Sequence, residues 1–136
     1  MKRLIFYILI CSVCTNLFSQ NYTKGDSLRG NLSSLRNCYD VFFYDLDIHL
    51  DLEKKIINES SNTIYFKANN DFNKIQIDLF SNLKIISIEF EGLFLEFSRD
   101  YNAFFIEFPR KITEGELLKL KCNYSGTPQQ AKNPPW

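Results

Sequence analysis

The sequence predicts an all-β fold, an antiparallel β-sandwich or curved sheet of seven or eight short strands. Three observations support this class. Apolar residues recur at every second position in several segments, as expected for strands with one buried face. Turn-forming residues separate these segments at short intervals. No segment has the apolar period of a convincing amphipathic helix.

Length and composition limit the class of protein further. The 136 residues suit one domain, and 45% hydrophobic content excludes a disordered chain. Sixteen basic and sixteen acidic residues give a net charge of zero. Since nucleic-acid-binding domains normally carry a clear basic excess, no nucleic-acid partner is expected.

Residues 1–19 have the layout of a secretory signal peptide. A basic start is followed by an almost entirely apolar stretch and then by small and polar residues up to Ser19, where we expect cleavage. The apolar stretch of roughly 14 residues is shorter than the ~20 that a membrane-spanning helix requires. We therefore predict export to the periplasm or the extracellular space, with no membrane span in the mature chain. Cys11 and Cys14 form a C-x-x-C within the apolar stretch and would leave with it.

Residues 20–37 are rich in Ser, Asn, Gly and charge and lack apolar periodicity. This composition predicts an exposed, flexible leader that precedes the folded domain. The predicted domain occupies residues 38–127, and a Pro-rich tail follows over residues 128–136.

The first predicted strand begins at Tyr39 and continues to Leu52 with a period of two. One side carries only apolar residues: Phe42, Tyr44, Leu46, Ile48, Leu50 and Leu52. The other side carries Val41, Phe43, Asp45, Asp47, His49 and Asp51, so its far end should face water.

Further strands are predicted over residues 63–68, 74–80, 83–90, 93–97, 103–108 and 117–124. Glu91-Gly92 suits a tight hairpin, because glycine adopts positive φ angles without strain. Segments 85–90 and 103–108 are apolar with few charges, so we expect them to be central strands. Breaks are predicted at residues 58–61 and at Pro109.

A catalytic or metal site is not predicted from the residues. His49 is the one histidine, and it shares a strand side with Asp45, Asp47 and Asp51. Residues two apart on a strand are roughly 7 Å apart, so one strand cannot close a compact metal shell. This group is expected to be a solvated polar face, and the sequence lacks H-E-x-x-H, P-loop and G-x-S-x-G motifs.

Cys38 and Cys122 are the two cysteines beyond the predicted signal peptide. In an oxidising compartment they could form a disulfide bond. The alternative is a pair of buried or half-buried thiols. Sequence spacing does not decide between these two states.

Three groups of residues, in order, resemble the amino-terminal domain of the aminopeptidase N-type (gluzincin) zinc metallopeptidases of exported bacterial type. The likeness covers most of residues 38–136. The groups are R-N-C-Y-D-V (36–41) with Y-D-L-D-I (44–48), N-T-I-Y-F-K (62–67) with I-Q-I-D-L-F (75–80), and Y-S-G-T-P (124–128) with A-K-N-P-P-W (131–136).

The resemblance implies a saddle-shaped antiparallel β domain that packs on a catalytic domain and walls its active-site cleft. In that family the zinc ion, its ligands and the catalytic glutamate belong to the catalytic domain, later in the chain. This chain would then be cut short at Trp136 and would hydrolyse nothing alone, with no catalytic, cofactor or metal residues of its own. An alternative is a stand-alone secreted β-sandwich that binds a protein or glycan partner, as its aromatic content suggests.

Overall fold

The computed structural model describes residues 22–129. The predicted signal peptide, with Cys11 and Cys14, and most of the predicted Pro-rich tail lie outside the described residues. Within residues 22–129, no helix is both long and apolar enough to cross a bilayer.

Nine strands and two short helices make up the described part of the chain. The helices are α1 (Lys24–Gly30) and α2 (Ser34–Asn37). The strands are β1 (Tyr39–Asp47), β2 (Leu50–Asp51), β3 (Ile56–Ala68), β4 (Phe72–Asp78), β5 (Leu83–Phe90), β6 (Leu93–Phe94), β7 (Phe97–Asp100), β8 (Ala103–Ile112) and β9 (Leu117–Gly126).

The strands form two antiparallel sheets, which confirms the predicted all-β class. Sheet A has the strand order β1-β3-β9-β5-β6, and β2 pairs with the beginning of β3. Sheet B has the order β4-β8-β7. Strand β5 lies between β9 and β6, and β8 lies between β4 and β7, so the two apolar segments predicted to be central do lie inside their sheets.

The core lies between the two sheets and is built by alternate residues. In β3, Ile64, Phe66 and Ala68 are buried, and in β9 the buried set includes Leu118 and Leu120. Ile64 pairs with Leu120 and Phe66 pairs with Leu118, so these buried residues share one face of sheet A. Phe90 of β5 and Phe108 of β8 join the sheets through an edge-to-face contact with ring centroids 4.8 Å apart.

The strand boundaries differ from the prediction at polar residues and at Pro109. Strand β3 begins at Ile56 and runs through the predicted break at residues 58–61. Ser60 is tolerated there because its hydroxyl accepts a hydrogen bond from the backbone N–H of His49. Strand β8 continues through Pro109, and the pairing register shifts between Phe72 and Lys74 of the partner strand.

The predicted hairpin at Glu91-Gly92 is confirmed. Glu91 has a φ of 50° and Gly92 a φ of 80°, so both residues occupy the left-handed region. A two-residue hairpin loop with positive φ at both positions matches the twist of its flanking strands. The loop therefore connects β5 to β6 directly.

The segment expected to be an exposed, flexible leader contains α1 and α2. Thr23 and Asp26 form a capping box at the start of α1. Arg36 of α2 donates hydrogen bonds to the carbonyls of Arg29 and Leu28 and forms an ion pair with Asp78 of β4. The prediction missed these helices because capping and long-range polar contacts, rather than an apolar stripe, stabilise them.

Candidate functional site

The polar group around His49 does not form a metal site. The His49 ring contacts the Glu59 carbonyl through Nδ1 at 2.9 Å and the Asp47 carboxylate through Nε2 at 3.3 Å. Asp51 forms an ion pair with Lys54 instead. Within residues 22–129, no group of three or more His, Cys, Asp or Glu side chains is arranged to hold a metal ion.

Cys38 and Cys122 are buried, free thiols in the structure. Cys38 lies next to Tyr39, which pairs with Ala68, whereas Cys122 pairs with Asn62. These two partners lie six positions apart along strand β3, which corresponds to about 20 Å. Because a disulfide requires Cα atoms within about 7 Å, this geometry favours the thiol alternative. Burial raises the pKa of Cys38, and it raises the pKa of Cys122 to about 12.

Several large apolar side chains of strands β1 and β2 are exposed. Tyr44, Leu46 and Leu50 pair with Ile64, Asn62 and Ile57, on the face of sheet A that carries the core. They are nevertheless 54%, 55% and 60% exposed. We call these three residues the uncovered inner surface.

The cause of this exposure is the unequal size of the two sheets. Sheet B packs near the beginning of β1, where the Tyr39 hydroxyl donates to the Gln76 carbonyl at 2.8 Å. The Tyr39 ring also packs against Phe66. Towards the end of β1 no described element covers the face, so Tyr44 and Leu46 meet solvent. The inner surface is therefore a continuation of the core without its covering layer.

On the opposite face of sheet A, Phe42, Tyr65 and Leu117 help to line a groove of about 460 Å³. The rest of this face is mainly polar. Lys119 and Lys121 of β9 lie there with Thr63 and Tyr65 of β3 and with Glu89 of β5. A shallow groove of about 290 Å³ runs over these residues. Alternating charged side chains across neighbouring strands are typical of a solvated face, so this groove indicates no ligand class.

Sequence periodicity identified the residues of the inner surface but not their exposure. The pattern grouped Tyr44, Leu46 and Leu50 on one apolar side of a continuous strand from Tyr39 to Leu52. The structure interrupts that strand between β1 and β2 and places Phe42 at a register shift. An amphipathic pattern predicts a face that will be buried, but it does not say which part of the chain buries it.

Comparison with known proteins gives a match of fold and not of sequence. No protein-family model matches the chain, and no curated protein sequence matches it. The fold matches solved structures of an M1 zinc metallopeptidase from Deinococcus radiodurans. The structure of a mutant bound to a Tyr-Ser-Ala substrate gives a TM-score of 0.62 at 20% identity and covers 71% of this chain.

Two further structures agree. The M1 zinc metallopeptidase from the same organism gives a TM-score of 0.61 at 21% identity and covers 74% of this chain. A two-domain M1 zinc metallopeptidase mutant bound to L-arginine gives 0.61 at 22% identity, with 74% of this chain covered. The matches cover only 22–23% of those longer chains. The predicted resemblance is thus confirmed at the level of the fold, as a likeness to the amino-terminal part of these enzymes.

Proposed function

We propose that this chain forms the non-catalytic amino-terminal β domain of an exported, aminopeptidase N-like zinc metallopeptidase. The shared fold with M1 zinc metallopeptidases supports this proposal, together with the ordered sequence blocks that resemble the same family. The domain would pack on a catalytic domain and form one wall of its substrate cleft.

The uncovered inner surface is the observation that carries the packing role. Tyr44, Leu46 and Leu50 expose large apolar side chains beside an otherwise closed core. Exposed apolar surface of this kind commonly marks an interface, because its burial removes apolar area from water. A catalytic domain that covers these residues would complete the layer that sheet B leaves short.

Zinc in such a protein would be held by the catalytic domain and not by this one. The strongest candidate here is His49 with Asp47, which supplies two side chains where a zinc site needs three or four. Moreover, Nδ1 of His49 already contacts the Glu59 carbonyl. The described donor set therefore does not fit zinc, and no hydrolytic step is assigned to these residues.

Export is part of the same proposal. It rests on the signal-peptide pattern of residues 1–19, whose basic start and apolar stretch precede the domain. Mass spectrometry of the secreted product would test it, with a mature amino terminus near Gln20 as the expected result.

The DNA that follows codon 136 provides the direct test. We expect it to encode H-E-x-x-H and a downstream glutamate in frame, because these residues supply zinc ligands and the general base in hydrolases of this class. A continuation or a neighbouring gene without these motifs would overturn the peptidase assignment.

The interface is tested by producing that catalytic domain and measuring its binding to the 136-residue chain. Leu46→Asp and Leu50→Asp should each weaken binding on the order of tenfold, since a charge would be buried in an apolar contact. Leu117→Asp is the matched control, because Leu117 is 71% exposed on the opposite face of sheet A. Equal effects of all three substitutions would contradict the proposed interface.

A further inference from the structure

Strand β1 is a long free edge of sheet A. It is the first strand in the order β1-β3-β9-β5-β6, so only its β3 side is paired. Apart from the β1–β3 ladder, no residue from Tyr39 to Asp47 makes a backbone–backbone hydrogen bond with another described residue. The backbone groups on the other side of β1 are therefore available to a further strand.

The second half of β1 is well suited to such pairing. The register shift lies between Val41 and Phe43, and from Phe43 to Asp47 the pairing with β3 is regular. This five-residue run contains no proline or lysine, the residues that most often protect a free edge. At the other end of sheet A, β6 has only two residues and offers much less edge.

The side chains along this run define the chemistry of an incoming strand. Phe43, Asp45 and Asp47 lie on one face, and Tyr44 and Leu46 lie on the other. Within the described residues, Asp45 has no ion-pair partner, and the ion-pair partner of the Asp47 carboxylate is the His49 ring. One face of an added strand would thus meet two carboxylates and the other face would meet two apolar side chains.

We infer that the free edge of β1, from Phe43 to Asp47, binds an extended peptide segment in which basic and apolar residues alternate. The segment adds to sheet A as a new edge strand. Its backbone pairs with β1, its basic side chains face Asp45 and Asp47, and its apolar side chains extend the row of Tyr44 and Leu46. Opposite charges directly across an antiparallel pair stabilise it, whereas like charges destabilise it.

A second copy of this chain fits the edge less well. If two Phe43–Asp47 runs paired antiparallel over their full length, Asp45 would lie opposite Asp45 of the other copy. A parallel pairing in register would place both aspartates opposite their equivalents. The charge pattern therefore selects a basic strand, and this inference does not depend on the proposed role beside a catalytic domain.

Binding of synthetic peptides to the 136-residue chain tests the inference. A fluorescent heptapeptide of alternating leucine and lysine should bind tighter than its leucine–glutamate counterpart on the order of tenfold, as measured by anisotropy. Methylation of every backbone nitrogen in the lysine peptide should abolish binding, because it removes the amide donors along both edges. The peptide should also slow hydrogen exchange of those amides between Phe43 and Asp47 that point away from β3.

Charge reversal of the edge provides the matched comparison. The double variant Asp45→Lys, Asp47→Lys should prefer the glutamate peptide. The control is the double variant Glu96→Lys, Glu114→Lys, which changes two exposed carboxylates outside sheet A. It should keep the preference for the lysine peptide. Equal binding of both peptides, or undiminished binding of the methylated peptide, would show apolar adsorption and overturn the inference. A dimer with protected β1 amides in the absence of peptide would also overturn it.

Discussion

Tyr44 and Ile64 are cross-strand partners on the same face of sheet A, yet Tyr44 is 54% exposed and Ile64 is 4% exposed. Two residues side by side in one register therefore lie on opposite sides of the boundary of the core. This boundary divides the inner face of sheet A into a part covered by sheet B and a part that is uncovered.

The first prediction concerns this boundary. Ile64→Ser should destabilise the chain by about 3 kcal/mol or more, because it leaves a cavity and buries a hydroxyl. Tyr44→Ser should lower the free energy of unfolding by less than about 1 kcal/mol, since more than half of the Tyr44 side chain is already exposed to solvent. Urea unfolding of the two variants measures the difference. Similar losses for both would mean that Tyr44 is covered in solution.

The second prediction concerns the attachment of the helices to sheet B. The Arg36 guanidinium lies 3.0 Å from the Asp78 carboxylate, and both side chains are partly buried. A double-mutant cycle with Arg36→Gln and Asp78→Asn should give a coupling free energy of about 1 kcal/mol. Thermal or urea unfolding provides the four stabilities.

Arg29 serves as the control for that cycle. It pairs with Asp26 at 3.3 Å on the exposed surface of α1, three residues apart. Coupling between these two residues should stay within about 0.5 kcal/mol. If the Arg36–Asp78 coupling were equally small, the ion pair would not hold α1 and α2 on the sheet.

The third prediction compares two glycines with positive φ angles. Gly126 has a φ of 146°, and a Cβ there would lie 2.5 Å from the backbone oxygen of Asn82 and 3.1 Å from the Cα of Leu83. Gly92 has a φ of 80° and open space around its missing Cβ.

Gly92→Ala should lower the free energy of unfolding by about 1 kcal/mol, from backbone strain alone. Gly126→Ala should cost clearly more, because backbone atoms would have to move. Equal losses of stability in urea unfolding would contradict the crowding at Gly126.

The fourth prediction concerns the alkaline limit of stability. Burial raises the pKa of Cys122 from 9.0 to about 12, because the buried site disfavours the thiolate. The unfolded chain therefore loses this proton at lower pH than the folded chain does. The contribution of the Cys122 thiol to the free energy of unfolding is fully present below pH 9, and it is lost as pH rises towards 12.

The measurement is urea unfolding of the 136-residue chain with Cys11 and Cys14 replaced by serine, compared with the same chain carrying Cys122→Ala. The Cys122→Ala chain should lose less stability between pH 9 and 12. Some loss above pH 10 should remain, because burial also raises the pKa of Tyr39 to about 12. In the folded parent chain, Cys38 and Cys122 should react with a thiol reagent only after unfolding. Rapid reaction of both thiols at neutral pH would contradict the buried positions.

Local patterns predicted the strands most accurately where side-chain alternation and turn chemistry agree. The hairpin at Glu91-Gly92 is an example, because the positive φ angles that it needs are a property of the residues themselves. The helices α1 and α2 were not predicted. Their contacts, from Arg36 to Asp78 and from Gln76 to the Leu28 carbonyl, join residues that are 42 and 48 positions apart.

The register shift between Val41 and Phe43 places Val41 on the face of Tyr44, whereas the predicted alternation put these two residues on opposite sides. The sequence by itself determined that the chain is all-β, which segments alternate, and that Tyr44 and Leu46 share a side. It could do so because strand periodicity is a local property of neighbouring residues. The tertiary structure decided which of those sides is covered, how far Cys38 lies from Cys122, and that β1 forms a free edge. These features depend on how distant strands are ordered in the sheets, and strand order is set by packing across the whole domain.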